Sequence, residues 1–455
     1  MQLSKPKLFL FGFAAIGVNL LNLIMGVYLC HSLYIPPEGG SFIAFLGKGL
    51  GKNLVIPAVW AIVITISKIV DGIIDIPLAN LLDNLKAKFG KRKTGMILGF
   101  VPMAVSFILF LIALFPNATG TAQMWGNTIW FGFFLILFYC SYTCTMLAYY
   151  ACFSEVTRDD DARRFLSNVK SVADVVSYVL AYALIPILID ATSIRSVGLI
   201  FLPISLLIVI AMFMLRGETD QAEELSEKEP NMLQSLVHAF KRRDFMLWMC
   251  VNAFMTFAIQ FFLVGQPYVL SEIAQFSGGQ IALMNACAFG PVPFTIMLCN
   301  HITKRRGFRF GFVYSMLTFS LGMGICSLLG FPQFLAGINL NPLYVGIAGA
   351  LVCSLGIGTF FSVTYIIPSH VAAREREEQG ISQPSMYFAV QGLFGAVVTA
   401  FSTGLIFVNM RNSGYSQWMM PVVGIALVLC SALTVILPKS IAHIGKVNRR
   451  QADAS

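Results

Sequence analysis

Apolar positions in this chain come in runs of about twenty residues, not in the one-face stripes of a water-soluble helix or the strict alternation of a strand. A bilayer core of roughly 30 Å takes about 20 helical residues. On that ruler the runs predict twelve spans: 8–30, 54–81, 95–115, 128–153, 167–192, 197–215, 245–270, 280–303, 310–331, 343–369, 383–408 and 418–437. The ten-residue alternating segments of a membrane β-barrel are missing. The expected fold is therefore an all-α polytopic membrane protein with 12 transmembrane helices. Lys5 and Lys7 ahead of the first run suggest a signal peptide, but 8–30 is too long for one and lacks an A-x-A-like cleavage site, so a retained first span is expected.

The longest polar connection, 216–244, falls between spans six and seven. It predicts two six-helix bundles, 1–215 and 245–437, joined by a linker at 216–244 and followed by a tail at 438–455. A weak internal repeat supports a pseudo-symmetric pair. "DNLKAKFGKRK" from Asp83 follows span two, and "NHITKRRGFRF" from Asn300 follows span eight, the equivalent helix of the second half.

Of the 455 residues 57% are hydrophobic and 12% charged, which confirms a membrane class, and the net charge of +9 then reports orientation. With the N-terminus inside, 25 of the 31 basic residues fall on inner segments. Four, Lys48, Lys52, Arg195 and Arg411, fall outside, and the positive-inside rule puts both termini in the cytoplasm. The ten cysteines show no CxxC spacing and read as small packing residues. Neither a phosphate-binding P-loop nor an HExxH or GxSxG motif occurs, so an ATP-driven pump or a hydrolase has no support. Asn117-Ala118-Thr119 matches a glycosylation sequon on an expected outer loop, and such triplets are common by chance. The stretches 154–164 and 370–380 read as charged cytoplasmic loops.

The remaining two basic residues, Lys68 and Lys170, fall inside spans together with Asp71, Asp75 and Asp174, and these charges carry the candidate chemistry. An ionisable side chain at the bilayer midplane costs about 2.5–3.5 kcal/mol, so it must face a partner or a watery cavity. Lys68, Asp71 and Asp75 of span two are three and four positions apart and share one helix face. Two carboxylates one turn apart either raise the proton affinity of one or invite a cation, with Thr143 on span four as a further oxygen ligand. The competing reading is a structural network in which Lys68 neutralises one aspartate. Span five repeats the theme with Lys170 and Asp174, which either pair, bridge to the span-two acids or a substrate, or leave Lys170 snorkelling to the interface.

"KIVDGIIDIPLANLLDNLKAKFGKRK" resembles the signature of the glycoside-pentoside-hexuronide:cation symporters, the melibiose permease group of the major facilitator superfamily. Lys68, Asp71, Asp75, Asp83, Gly90 and Arg92 hold matching places. "GFAAIGVN", "AYYACFSEVTRDDDARRFLSNVK" and "GIGTFFSVTYIIPSHVAAREREEQG" with "YFAVQG" extend the likeness along nearly the whole chain. The resemblance implies the major facilitator fold, a cation site at Asp71, Asp75 and Thr143, and a charge network that includes Lys68 and Asp83. It also implies substrate contacts at Asn19, Met146, Tyr149, Tyr150, Lys170, Asp174 and Gln391. Ile74 replaces an asparagine of the family's cation site, and Asn19, Met146 and Ala396 replace two carboxylates and a lysine of its sugar site.

The expected function is cation-coupled symport of a glycoside or related sugar by alternating access, with Na⁺, H⁺ or Li⁺ as coupling ion. No other cofactor, catalytic residue or nucleic-acid partner is expected. Membrane lipid, a monomeric state and the plasma membrane, or the bacterial inner membrane in a prokaryote, complete the expectation. Met146 keeps open a lipid-like or aromatic solute; an exporter and a non-transporting membrane sensor are the remaining alternatives.

Overall fold

The computed structural model describes residues 3–33, 53–83, 85, 90–156, 160–215, 237, 240–379 and 384–442. Most of the expected linker at 216–244 and of the tail at 438–455 lies outside them. Among the described residues there are no strands, and twelve helices are long and apolar enough to cross a membrane. These are Lys5–His31, Pro57–Asp75, Arg92–Phe110, Thr121–Phe153, Val172–Ala191 and Ile194–Met214, followed by Arg243–Ile273, Gly278–Thr303, Phe308–Gly330, Pro342–Phe360, Val390–Asn412 and Ser416–Ile436. They are spans one to twelve below. In lipid the backbone can satisfy its own polar groups only in a helix or a closed barrel, which is why long apolar runs fold this way.

The chain divides into two compact units, Met1–Glu227 with Ser277–Gly279, and Lys228–Phe276 with Gln280–Ser455. The first holds spans one to six and the second the bulk of spans seven to twelve. Two local features recur at equivalent places in both. Gly90, just before span three, has φ 87° and ψ 138°, and Gly307, just before span nine, has φ 92° and ψ 165°. These are the same register position in the two repeat segments, and such angles are nearly closed to residues with a Cβ. The described π-helical turns follow the same pattern: Ile24–Tyr28 in span one and Val269–Ile273 in span seven, Leu180–Leu184 in span five and Ala400–Ile406 in span eleven. A π turn redirects the side chains beyond it by inserting a residue into the α-helical register.

Three expectations are revised. Residues 370–379 are not loop but the end of a helix running Pro342–Gln379. "AAREREEQ" is built almost entirely of strong helix formers, which continue the span as a charged extension. Span four lies within a helix of 36 residues, Thr121–Val156, which begins seven residues ahead of the expected 128. Arg411, expected in an outer loop, lies in the last turn of the helix Phe407–Asn412, is 1% exposed and stands 4.6 Å from the centroid of the Tyr268 ring.

Alanine at Gly90 or Gly307 should lower stability by about 1–3 kcal/mol, the cost of holding a residue with a Cβ in a glycine-only region. The midpoint of thermal unfolding in detergent measures this. Gly324→Ala, on span nine with open space where the Cβ would stand, is the control and should leave the midpoint unchanged or raised.

Candidate functional site

The first unit gathers most of the expected residues where spans one, two, four and five meet. The helices carrying spans two and four pack together, and each presents one face of a helical repeat. Span two supplies Lys68, Asp71 and Asp75; span four supplies Tyr139, Thr143 and Met146 at the same spacing of about one turn. The Thr143 hydroxyl donates to Asp71 Oδ1 at 2.8 Å. One turn earlier the Lys68 ammonium lies 3.6 Å from the centroid of the Tyr139 ring, and it also attracts Asp71. One turn later Asp75, part exposed, repels Asp71. The three charges of span two thus meet an aromatic face, a hydroxyl and an open side in succession.

A second cluster centres on Asp174 of span five. Lys170, in the helix Asp160–Val179, forms an ion pair with Asp174 Oδ1. The same oxygen accepts from Asn19 Nδ2 of span one at 2.7 Å. Asn19 Oδ1 in turn accepts from the Tyr142 hydroxyl of span four at 3.2 Å. Tyr142 lies within electrostatic reach of both Asp71 and Asp174, so it joins the two clusters. The Lys170 side chain is 7% exposed and takes the pairing arrangement with Asp174, whereas that of Asp174 is 40% exposed and keeps an open face.

The two tyrosines expected against a substrate differ sharply, because neighbours on a helix point about 100° apart. Tyr149 is fully buried, stacks on Phe11 with centroids 5.1 Å apart, and donates its hydroxyl to the Phe11 carbonyl at 2.6 Å. Tyr150 is 46% exposed, and the Lys170 ammonium stands 5.5 Å from its ring centroid. Met146 is buried at 4% exposure, so it packs within the unit. Gln391 belongs to the second unit, where Trp248 Nε1 donates to its Oε1 at 3.0 Å. Asp83 ends the helix Pro57–Asp83, and its side chain lies outside the described atoms. Tyr139 and Tyr142 escaped the sequence reading, although Tyr139, four positions before Thr143, shares its helix face.

Among the described residues no group of three His, Cys, Asp or Glu side chains could hold a metal ion. Asp71, Asp75 and Thr143 offer carboxylate and hydroxyl oxygens, a set suited to a hard cation or a proton rather than to a transition metal.

Twelve spans in two units, with ionisable side chains networked inside the first, define a polytopic carrier. The chain belongs to the MFS/sugar transport protein family, the melibiose permease-like family, whose model matches residues 10–437. No curated protein matches it in sequence. Solved structures share the fold at low identity. A bacterial homologue of the iron transporter ferroportin, in an inward-facing state, is 11% identical with a TM-score of 0.65, over 95% of this chain and 99% of that one. The D-xylose-proton symporter is 14% identical with a TM-score of 0.64, over 98% and 99%. The nucleoside transporter NupG is 12% identical with a TM-score of 0.62, over 95% and 98%.

The ion pair yields a test of its own. Lys170→Met leaves Asp174 without its counter-charge and should destabilise the protein by about 1 kcal/mol, a figure reduced by the 40% exposure of Asp174, while Lys170→Met with Asp174→Asn should recover most of that loss. Denaturant unfolding of the purified single and double variants measures the difference.

Proposed function

We propose that the protein is a secondary active symporter that couples entry of Na⁺, H⁺ or Li⁺ to movement of a glycoside or related sugar by alternating access. The family and the fold support transport of a small molecule. The observation that carries the cation site is the Thr143–Asp71 hydrogen bond one turn from Asp75, which gathers three oxygen-bearing side chains on facing helices. Ile74 contributes no oxygen to that set, so a proton or a small cation fits it better than an ion that demands many ligands.

Asn19, Tyr150, Lys170 and Asp174 are the proposed substrate contacts of the first unit. Asn19, Lys170 and Asp174 offer donors and acceptors to sugar hydroxyls, and Tyr150 offers an open ring to a sugar face. Substrate would exchange its own hydrogen bonds for those now made within the Asn19–Asp174–Lys170 cluster. The protein is placed by this reading in the plasma membrane, and the distribution of Lys and Arg supports both termini inside.

Uptake into proteoliposomes, screened over a panel of glycosides with imposed Na⁺, Li⁺ and pH gradients, tests the proposal. Accumulation should need one of the three gradients and should collapse in Asp71→Asn and Asp75→Asn. Undiminished gradient-driven accumulation in both variants would sink the site assignment. Uptake of amphiphiles but of no glycoside would replace the substrate class.

A further inference from the structure

We infer that Tyr139 is a positioning residue of the cation site: its ring holds the Lys68 ammonium away from Asp71 and so keeps Asp71 available to a cation from solution. The inference rests on the proposed cation site and adds to it the residue that controls its affinity.

Lysine and aspartate three positions apart on a helix share a face, and the four-carbon lysine side chain is long and flexible enough to reach the carboxylate. Both are only part exposed, and where water is scarce such a contact is favoured more than in bulk solvent. The side chain nevertheless takes another course. Lys68 Nζ sits over the Tyr139 ring at 3.6 Å, and no ion pair between Lys68 and Asp71 forms among the described residues. An aromatic face attracts an ammonium most when both are removed from water. Asp71 meanwhile takes its hydrogen bond from Thr143, a neutral donor that leaves the carboxylate its charge.

The surroundings hold the ring in place. Tyr139 is 1% exposed, and its ring makes an edge contact with Phe138, centroids 5.6 Å apart. Gly26 of span one faces the Tyr139 hydroxyl, and a Cβ added there would stand 3.2 Å from it. Gly26 lies in the π-helical turn Ile24–Tyr28, so a feature of span one's backbone makes room for the platform on span four.

The groups facing Lys68 explain the consequence of losing the ring. Asp71 and Cys30 both interact electrostatically with the ammonium, and of these Asp71 is the acid. Without the aromatic face Lys68 becomes a tethered cation beside Asp71, at an effective concentration in the mM range or above, and competes with the dissolved ion for the same oxygens. Tyr139 thereby decides whether the site's positive charge comes from the chain or from solution.

Stabilisation of the purified full-length protein by NaCl, LiCl or acid, read as a thermal shift at constant ionic strength with choline chloride, supplies the test. Tyr139→Phe keeps the ring and should retain the wild-type half-saturating concentration. Tyr139→Leu should raise it at least about tenfold. Adding Lys68→Met to Tyr139→Leu should restore it, a rescue that a merely structural role of the ring would not produce. Lys68→Met alone, with the ring intact, should bind the cation at least as well as wild type. An unchanged Tyr139→Leu, a double variant as weak as Tyr139→Leu, or a Lys68→Met that falls to the level of Asp71→Asn would each overturn the inference. If wild type shows no shift that Asp71→Asn abolishes, the cation site itself fails, and the inference fails with it.

Discussion

A charge inside a bilayer has no solvent to fall back on, and the arrangement of the first unit follows from that constraint. Lys68 and Asp71 lie in span two, Asp174 lies near the start of span five and Lys170 just ahead of it, and each meets a named partner. The Tyr139 ring takes Lys68, the Thr143 hydroxyl takes Asp71, and Lys170 and Asp174 take each other. Burying such groups without partners would cost several kcal/mol apiece, comparable with the net stability of a folded domain. The network is therefore a condition of folding as well as the candidate site, and substitutions in it have to be read through both effects.

Span four organises the network. Tyr139 and Thr143 face span two, Tyr142 reaches span one through Asn19, and Tyr149 anchors span one through the Phe11 carbonyl. Tyr150 stays open beside Lys170. One helix thus touches Asp71, the Asp174 cluster and the packing of span one within eleven residues. Tyr142 donates to Asn19, which donates to Asp174, and it lies within electrostatic reach of Asp71, so the two clusters are neighbours in the first unit. Under the proposed symport, that proximity would let ion and solute sense one another.

Much of the fold was legible because span length and loop charge are gross features of the chain. All twelve spans were found, and Gly90 and Gly307, two of the three described glycines at positive φ, hold matching places in the internal repeat. The meeting of Asp71 with Thr143 was legible too, from helical spacing and the family signature together. Tyr139 and Tyr142 were not, because an aromatic residue in a membrane helix looks like any other packing residue until its partner is known. Likewise the difference between Tyr149 and Tyr150 depends on which neighbour faces span one, and residue type does not carry that. The helical extension at 370–379 was missed for a simpler reason: charge density was read as loop, although the same residues are strong helix formers.

The central claim is that Asp71 binds a cation that crosses the membrane with the solute. Charge displacement on a solid-supported membrane, recorded after a rapid jump in Na⁺, Li⁺ or proton concentration, reads that step without any knowledge of the solute. The account predicts a transient current in wild type for at least one of the three ions and none for the same ion in Asp71→Asn. A wild type silent to all three jumps, or a current of equal size in Asp71→Asn, would contradict it.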